Sequence, residues 1–262
     1  MPDPRSGGHW ALPTTSKYDT PFYEEIGPGS EASARRILPV VLELVAAQSA
    51  VDVGCGDGSW LQVLGQLGVD ELVGVDGPWA ERRLKIDRRT FVPLDLHAPL
   101  GLDRRFDLAI SLEVAEHLPG GVAPRFVQQL TELAPVVLFS AAVPGQGGTG
   151  HVNEQWPDYW ASCFAEHGYA LVDVLRPRFW DDPAIEPWYA QNAFLYASTD
   201  ACAASPALAA AADESPLLPL RVVHPGTLAR RENSVNLGEV LRVLPKAASS
   251  SLRHHAARLR DR

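Results

Sequence analysis

Four groups of residues along the chain are of types that bind or move charge. The first lies in Val51-Asp-Val-Gly-Cys-Gly-Asp-Gly58, where Asp52, Gly54, Cys55, Gly56, Asp57 and Gly58 crowd together. Glycines alternating in this way belong to neither strand nor helix; without a Cβ they permit positive φ and let a ligand come close to the backbone. The second is Asp76 with Gly77, where Asp76 follows Gly54 by 22 residues. A carboxylate at that distance, on the tip of a second parallel strand, can accept hydrogen bonds from both hydroxyls of a ribose. The third and fourth pair a histidine with an acid: Glu113 with His117, and His151 with Glu154. Imidazole beside a carboxylate can titrate near neutrality and take up a proton. A nucleoside-bearing cofactor and proton removal are the chemistry these residues suit.

Such residues act only if the fold brings them to one edge. Val51 and Val53 flank Asp52 as the end of a buried parallel strand, and Trp60, Leu61, Leu64 and Leu67 repeat at helical spacing directly after the turn. Strand, glycine turn and helix in succession open a crevice at the carboxyl end of the strand. Further strands are read at 71–77, 90–96, from Phe106, at 135–143, at 169–175 and at 191–198, with helices between most of them, including 122–133 and 159–167. The implied fold is α/β, a doubly wound, Rossmann-like, seven-stranded and mostly parallel sheet with helices on both faces. In it Asp52, Asp76 and Asp95 all lie at strand tips, and Glu113 and His117, four apart, share one face if the turn after the fourth strand is helical.

The spacing narrows the choice of cofactor. The dinucleotide fingerprint G-x-G-x-x-G needs glycine where this chain has Ser59, and no Tyr-x-x-x-Lys pair is present. Asp52 and Asp57 suit a ligand carrying an amine or sulfonium better than a pyrophosphate. Taken with Phe106-Asp-Leu-Ala-Ile-Ser-Leu-Glu-Val-Ala-Glu-His-Leu-Pro119, close to an E-V-x-E-H-L pattern, the stretch resembles class I S-adenosylmethionine-dependent methyltransferases over roughly residues 18–198. The runs H-V-N-E-Q-W (151–156) and W-Y-x-Q-N (188–192) look like those of bacterial methyltransferases encoded beside glycosyl-transfer or natural-product genes. The resemblance implies S-adenosyl-L-methionine as cofactor, held by Asp52, Gly54, Cys55, Gly56, Asp76, Gly77 and Glu113, with Asp95 and the Leu96 amide at the adenine edge. It also implies an antiparallel last strand beside the fifth. For a hydroxyl acceptor, His151 is the leading base, His117 its partner or alternative, and Glu154 the orienting acid.

The loop Pro144–Trp160 opens with four glycines in seven residues and then gathers His151, Asn153, Glu154, Trp156, Tyr159 and Trp160. It can close over an acceptor and exclude water, with its tryptophans in the core. The resemblance also allows a divalent metal on a histidine-acid cluster, as in some sugar methyltransferases, but no pair of candidate ligands has tight helical or hairpin spacing, so no metal is assigned. N- or carboxyl-methylation stays open, since a carboxylate needs no base. So do a nicotinamide-dependent enzyme of the same fold and a module that binds the nucleoside without turnover.

Composition bounds the rest. The chain has 262 residues, 46% hydrophobic and 21% charged, the profile of a globular protein, with nothing resembling a membrane span. Cys55, Cys163 and Cys202 form neither a disulfide framework nor a zinc spacing, and the amino end lacks an apolar signal core, so the cytoplasm is expected. From Arg221 onward nine Lys and Arg face three Asp and Glu, a surplus of six positive charges, so the remainder carries −15 against −9 for the whole. That acidic body argues against wrapping nucleic acid. The expected organisation is an arm or lid at 1–29, a domain at 30–198 and an Ala-rich, basic extension at 199–262. A helix capped by Ser30 and bent or bounded at Pro39, and a short basic helix near 251–259, are further expectations, as are a small-molecule acceptor and a possible homodimer.

Overall fold

The computed structural model describes residues 20–215 and 219–234, with side chains from residue 28 to residue 231. The chain opens with α1 (Thr20–Leu44), β1 (Ser49–Val53), α2 (Ser59–Gln66), β2 (Glu71–Asp76) and β3 (Phe91–Pro93). The second half of the sheet follows: β4 (Leu108–Leu112), α3 (Ala123–Leu133), β5 (Val136–Ser140), α4 (Pro157–Ala165), β6 (Tyr169–Val172), α5 (Arg176–Phe179), α6 (Pro187–Asn192) and β7 (Phe194–Ser198). The strands form one sheet in the order β3-β2-β1-β4-β5-β7-β6. Pairing is parallel from β3 through β5, and β7 runs antiparallel to both β5 and β6. The seven-stranded, mostly parallel, doubly wound sheet expected from the sequence is therefore present.

Alternation along the strands builds two apolar layers. In β5, Val136 and Leu138 join the core that includes α1 and α2, whereas Val137 and Phe139 join the core that includes α3 and α4. Both layers exclude water, which is why strands such as β4 and β5 are buried at every position. Trp160 belongs to the second layer, where its ring meets Phe139, which in turn meets Phe164 and Tyr196; Phe164 and Tyr196 stack at 3.9 Å.

Several local expectations need correction. Ser30 does not cap α1, which begins ten residues earlier; it lies inside the helix, buried, with its Oγ 3.2 Å from the Tyr189 hydroxyl. Nor does Pro39 end the helix, and Pro28 is also internal. Tertiary burial of Ile37, Leu38 and Val41 outweighs the lost backbone hydrogen bond. Phe22 and Tyr23 fall within α1, while Tyr18, the amino-terminal stretch and the basic helix near 251–259 lie outside the described residues.

Two compact units divide the chain at Val222. The first takes in the alanine-rich α7 (Thr199–Ala204) and α8 (Pro206–Glu214). Leu208 of α8 is buried in the same apolar layer as Val172 of β6, and the Asp173 amide donates to Ser215 Oγ at 2.5 Å. The second unit contributes α9 (Pro225–Ser234) to the described residues. Among those residues no helix is long and apolar enough to cross a membrane.

Candidate active site

The carboxyl tips of β1, β2, β3 and β4 lie along one sheet edge, because these strands are mutually parallel neighbours. At the first tip, Gly54, Gly56 and Gly58 all have positive φ, 89°, 55° and 79°, so side chains there would be strained. The turn is fixed from two sides. Gly54 N and Cys55 N both donate to Val75 O, at 2.7 and 3.1 Å, and Asp76 Oδ2 accepts from Gly56 N at 2.8 Å. The other oxygen of Asp76 accepts from Gly77 N at 2.6 Å. Burial raises the Asp76 carboxyl to about 6 even against these two amides. Each carboxylate oxygen retains a lone pair for a further donor.

The neighbours of this turn divide into ligand-facing and structural. Asp52 is buried in β1, and burial, with Asp76 and Asp57 close by, pushes its carboxyl well up. Asp57 serves the fold: it accepts from Ser59 N at 2.9 Å and Ser59 Oγ at 2.6 Å, opening α2, and pairs with Lys85 at 3.1 Å. Its expected role beside a cationic ligand gives way to that scaffold. Cys55 turns its thiol inward, so that a Cβ on Gly74 would stand 2.9 Å from the sulfur; only the Cys55 backbone faces the turn. A Cβ on Gly77 would meet the Trp79 ring at 2.1 Å, which puts an aromatic face directly over the residue after Asp76. Asp95, just past β3, accepts from His97 N at 2.9 Å and lies 2.8 Å from His97 Nδ1. Partial burial opposes its charge, but these contacts outweigh it and hold the carboxyl low. Leu96 is half-buried against the second apolar layer.

The second cluster follows β4 and β5. Glu113 has φ 54°, a left-handed conformation uncommon outside glycine. The helical turn expected to align Glu113 with His117 is instead a 3₁₀ turn over Ala115–His117, which leaves Glu113 outside it. Its carboxyl accepts from Gln146 Nε2 at 2.9 Å and Asn192 Nδ2 at 3.2 Å, and burial raises its pKa despite them. Gln191 Nε2 and Asn192 Nδ2 donate in turn to Gln146 Oε1, at 3.3 and 2.9 Å. The next turn abuts the glycine bend, since a Cβ on Gly54 would lie 2.3 Å from Val114 Cγ2.

His151, in the glycine-rich loop, joins His117: their rings meet edge to face at 4.9 Å. His151 Nδ1 lies 2.9 Å from Glu154 Oε1. Glu154 also accepts from Gly145 N and Gly147 N, both at 2.8 Å; burial works against its charge, but the bonds from His151 and the two amides hold it ionised. That arrangement directs His151 Nε2 toward Glu116, whose Oε1 is 4.0 Å away. Burial, with His151 adding to it, lowers His117 to about 4, so its ring is neutral at pH 7. The loop is stitched to this spot by Val152 N and Asn153 N, which donate to Glu116 O at 2.9 and 3.0 Å. Thus all three residues expected to handle a proton come together.

Glu116, Gln146 and Asn192 were not singled out from sequence. Glu116 carried a signal, being the second acid of the Glu113-Val-Ala-Glu116-His117 run. Asn192 closes the W-Y-x-Q-N run but had no role attached to it, and Gln146 was one residue of the glycine-rich loop; 45 residues separate Gln146 from Gln191 and only the fold joins them.

The profile of a family described as "Methyltransferase domain" matches residues 30–175. No curated protein matches the chain. Among solved structures, the sugar N-methyltransferase KedS8 from Streptoalloteichus sp ATCC 53650 aligns with a TM-score of 0.52 at 19% identity, over 73% of this chain and 99% of that one. A candidate O-methyltransferase from Nostoc punctiforme PCC 73102 gives 0.52 at 13% identity, over 68% and 59%. The magnesium protoporphyrin IX methyltransferase from Synechocystis PCC 6803, solved with bound SAH, gives 0.49 at 19%, over 67% and 86%. At these identities the first two likenesses concern the fold alone.

Proposed function

The chain belongs to the methyltransferase domain family, and from that premise we propose that it is an S-adenosylmethionine-dependent methyltransferase that methylates a hydroxyl of a sugar or secondary metabolite. The observation that carries this reading is Asp76, which braces the glycine turn through Gly56 N and keeps lone pairs for a ribose. Backbone of Gly54, Cys55 and Gly56 would line the amino-acid and ribose portions of the cofactor, Asp52 and Glu113 would lie toward its amine, and Asp95 and Leu96 would meet the adenine. The cofactor supplies an electrophilic methyl group on sulfonium sulfur.

The protein's part is alignment and proton removal. These residues would hold the acceptor oxygen in line with the methyl group that the cofactor would supply, and the hydroxyl proton would pass to the His151 and His117 cluster. His151 leads, because Glu154 orients its Nδ1 and leaves Nε2 as the working atom. His117, neutral at pH 7, is its partner. The loop that carries His151 and Glu154 shields both from water.

The test is transfer of labelled methyl from S-adenosylmethionine to a panel of hydroxylated and carboxylated metabolites. Turnover with hydroxylated acceptors, lost in His151→Ala and reduced in His117→Ala, is the expected result. Unchanged turnover in both variants would remove the histidines from proton transfer, and activity confined to carboxylates would move the acceptor class.

A further inference from the structure

Glu116 is the most anomalous side chain at this edge. It is fully buried, and neither carboxylate oxygen makes a hydrogen bond of good geometry, although its own amide and that of Ala142 lie nearby. Glu113 stands close enough to add a second negative charge beside it. A buried carboxylate whose oxygens accept no hydrogen bond of good geometry is costly, and the usual remedies are a proton, which Glu116 could share with Glu113, or a cation.

The surroundings favour the cation. One ligand atom each from Glu116, His117 and His151 lies within 4.8 Å of the others. Both imidazoles are held by their other nitrogen or by a neighbouring backbone group: His151 Nδ1 by Glu154, and His117 by a contact with the Gly150 backbone. Histidines that ligate metals are oriented by just such partners, a carboxylate or a carbonyl on the far ring nitrogen. A base would need only one oriented imidazole; two, converging on a fully buried carboxylate, make a ligand set. Gly148 closes the approach, since a Cβ there would fall 2.3 Å from His151 Nε2.

We propose that Glu116, His117 and His151 form a binding site for one divalent transition-metal cation, of the class that accepts two imidazole nitrogens and a carboxylate oxygen, such as Mn2+, Co2+ or Zn2+. Bonds of about 2.1 Å set donor atoms roughly 3.0–3.4 Å apart, so inward shifts under about 1 Å per side chain complete the set. Sequence spacing alone does not display such a set: Glu116 and His117 are adjacent, and His151 arrives from a loop 34 residues later. The site deepens the methyltransferase reading and rests on it for its use alone. A cation held there would lower the pKa of an acceptor hydroxyl, and the dependence of turnover on His151 and His117 proposed above would be kept, with the two imidazoles acting through the cation they hold.

The full chain, stripped with chelator and without S-adenosylmethionine, is titrated with Mn2+ by calorimetry and by electron paramagnetic resonance. Expected are one equivalent bound in the micromolar range, 14N coupling from imidazole in the pulsed spectrum, and a loss of affinity of about 30-fold or more in Glu116→Gln and in His151→Ala. No saturable binding, no nitrogen coupling in the wild type, or equal binding by folded variants would overturn the site; nitrogen coupling keeps the test decisive should a variant fail to fold. A separate titration with S-adenosylmethionine keeps the two ideas apart. Cofactor bound without cation defeats the metal site alone, and cation bound without cofactor defeats the methyltransferase reading alone.

Discussion

The glycine turn after β1 and the histidine cluster after β4 and β5 stand at adjoining strand tips, yet they are built on different plans. The turn is backbone held by one carboxylate: Gly54, Gly56 and Gly77 offer amides, and Asp76 gathers two of them. The cluster consists of side chains holding side chains, with Glu113, Gln146 and Asn192 in one network and His117, His151, Glu154 and Glu116 in another. A cofactor common to many enzymes needs a fixed cradle, which backbone supplies with few degrees of freedom. An acceptor that differs from enzyme to enzyme needs side chains on loops that can vary without disturbing the sheet.

Substitutions at the two places should therefore fail differently. The largest effect is expected for Gly54→Ala, where positive φ and the 2.3 Å approach to Val114 act together. We expect a loss of about 2–4 kcal/mol in unfolding free energy by denaturant titration, with cofactor binding lost as well. In the cluster, Glu154→Ala should leave the fold and cofactor affinity intact while lowering kcat by about 10²-fold, the scale of an unoriented base or ligand. If cofactor affinity falls in parallel, the two regions are not separable. Asp76→Asn should raise the cofactor Kd by about 10–100-fold, the worth of hydrogen bonds to a charged acceptor.

A pH series sharpens the same contrast. Asp76 is raised to about 6, so below that pH it is protonated and a poorer acceptor for ribose hydroxyls. Cofactor affinity should fall as pH drops from 7 to 5, by about tenfold at the lower end. The sign for stability is opposite: the folded carboxyl binds its proton more tightly than the unfolded one, so this group's contribution to stability declines as pH rises from about 4 to about 6. Asp76→Asn should abolish this part of the affinity profile. The smallest change is expected for Asp95→Ala, at most about threefold in cofactor Kd, because its carboxyl is exposed and already engaged by His97.

The same contrast explains what could be read from sequence. The turn lies within eight consecutive residues, and its glycines announce positive φ without any partner being known. The strands themselves were legible from apolar runs and their spacing, because buried parallel strands carry side chains for two faces; the antiparallel last strand beside the fifth came from the family resemblance alone. Asp57 misled, since a carboxylate in a glycine loop serves a helix start as readily as a ligand. The cap at Ser30 and a boundary at Pro39 failed because packing around Ile37, Leu38 and Val41 decides where α1 runs. Within the cluster, His117 and His151 were visible as residue types, while the pairing of Glu113 with Asn192 depends on β7 inserting next to β5.

The central claim is that the turn held by Asp76 is a seat for a sulfonium nucleoside. Calorimetric titration of the full chain with S-adenosylmethionine and, separately, with NADH addresses it most directly. The account predicts one equivalent of S-adenosylmethionine bound with micromolar affinity, weakened in Asp76→Asn, and no heat from NADH. Saturable NADH binding with none of S-adenosylmethionine would contradict it.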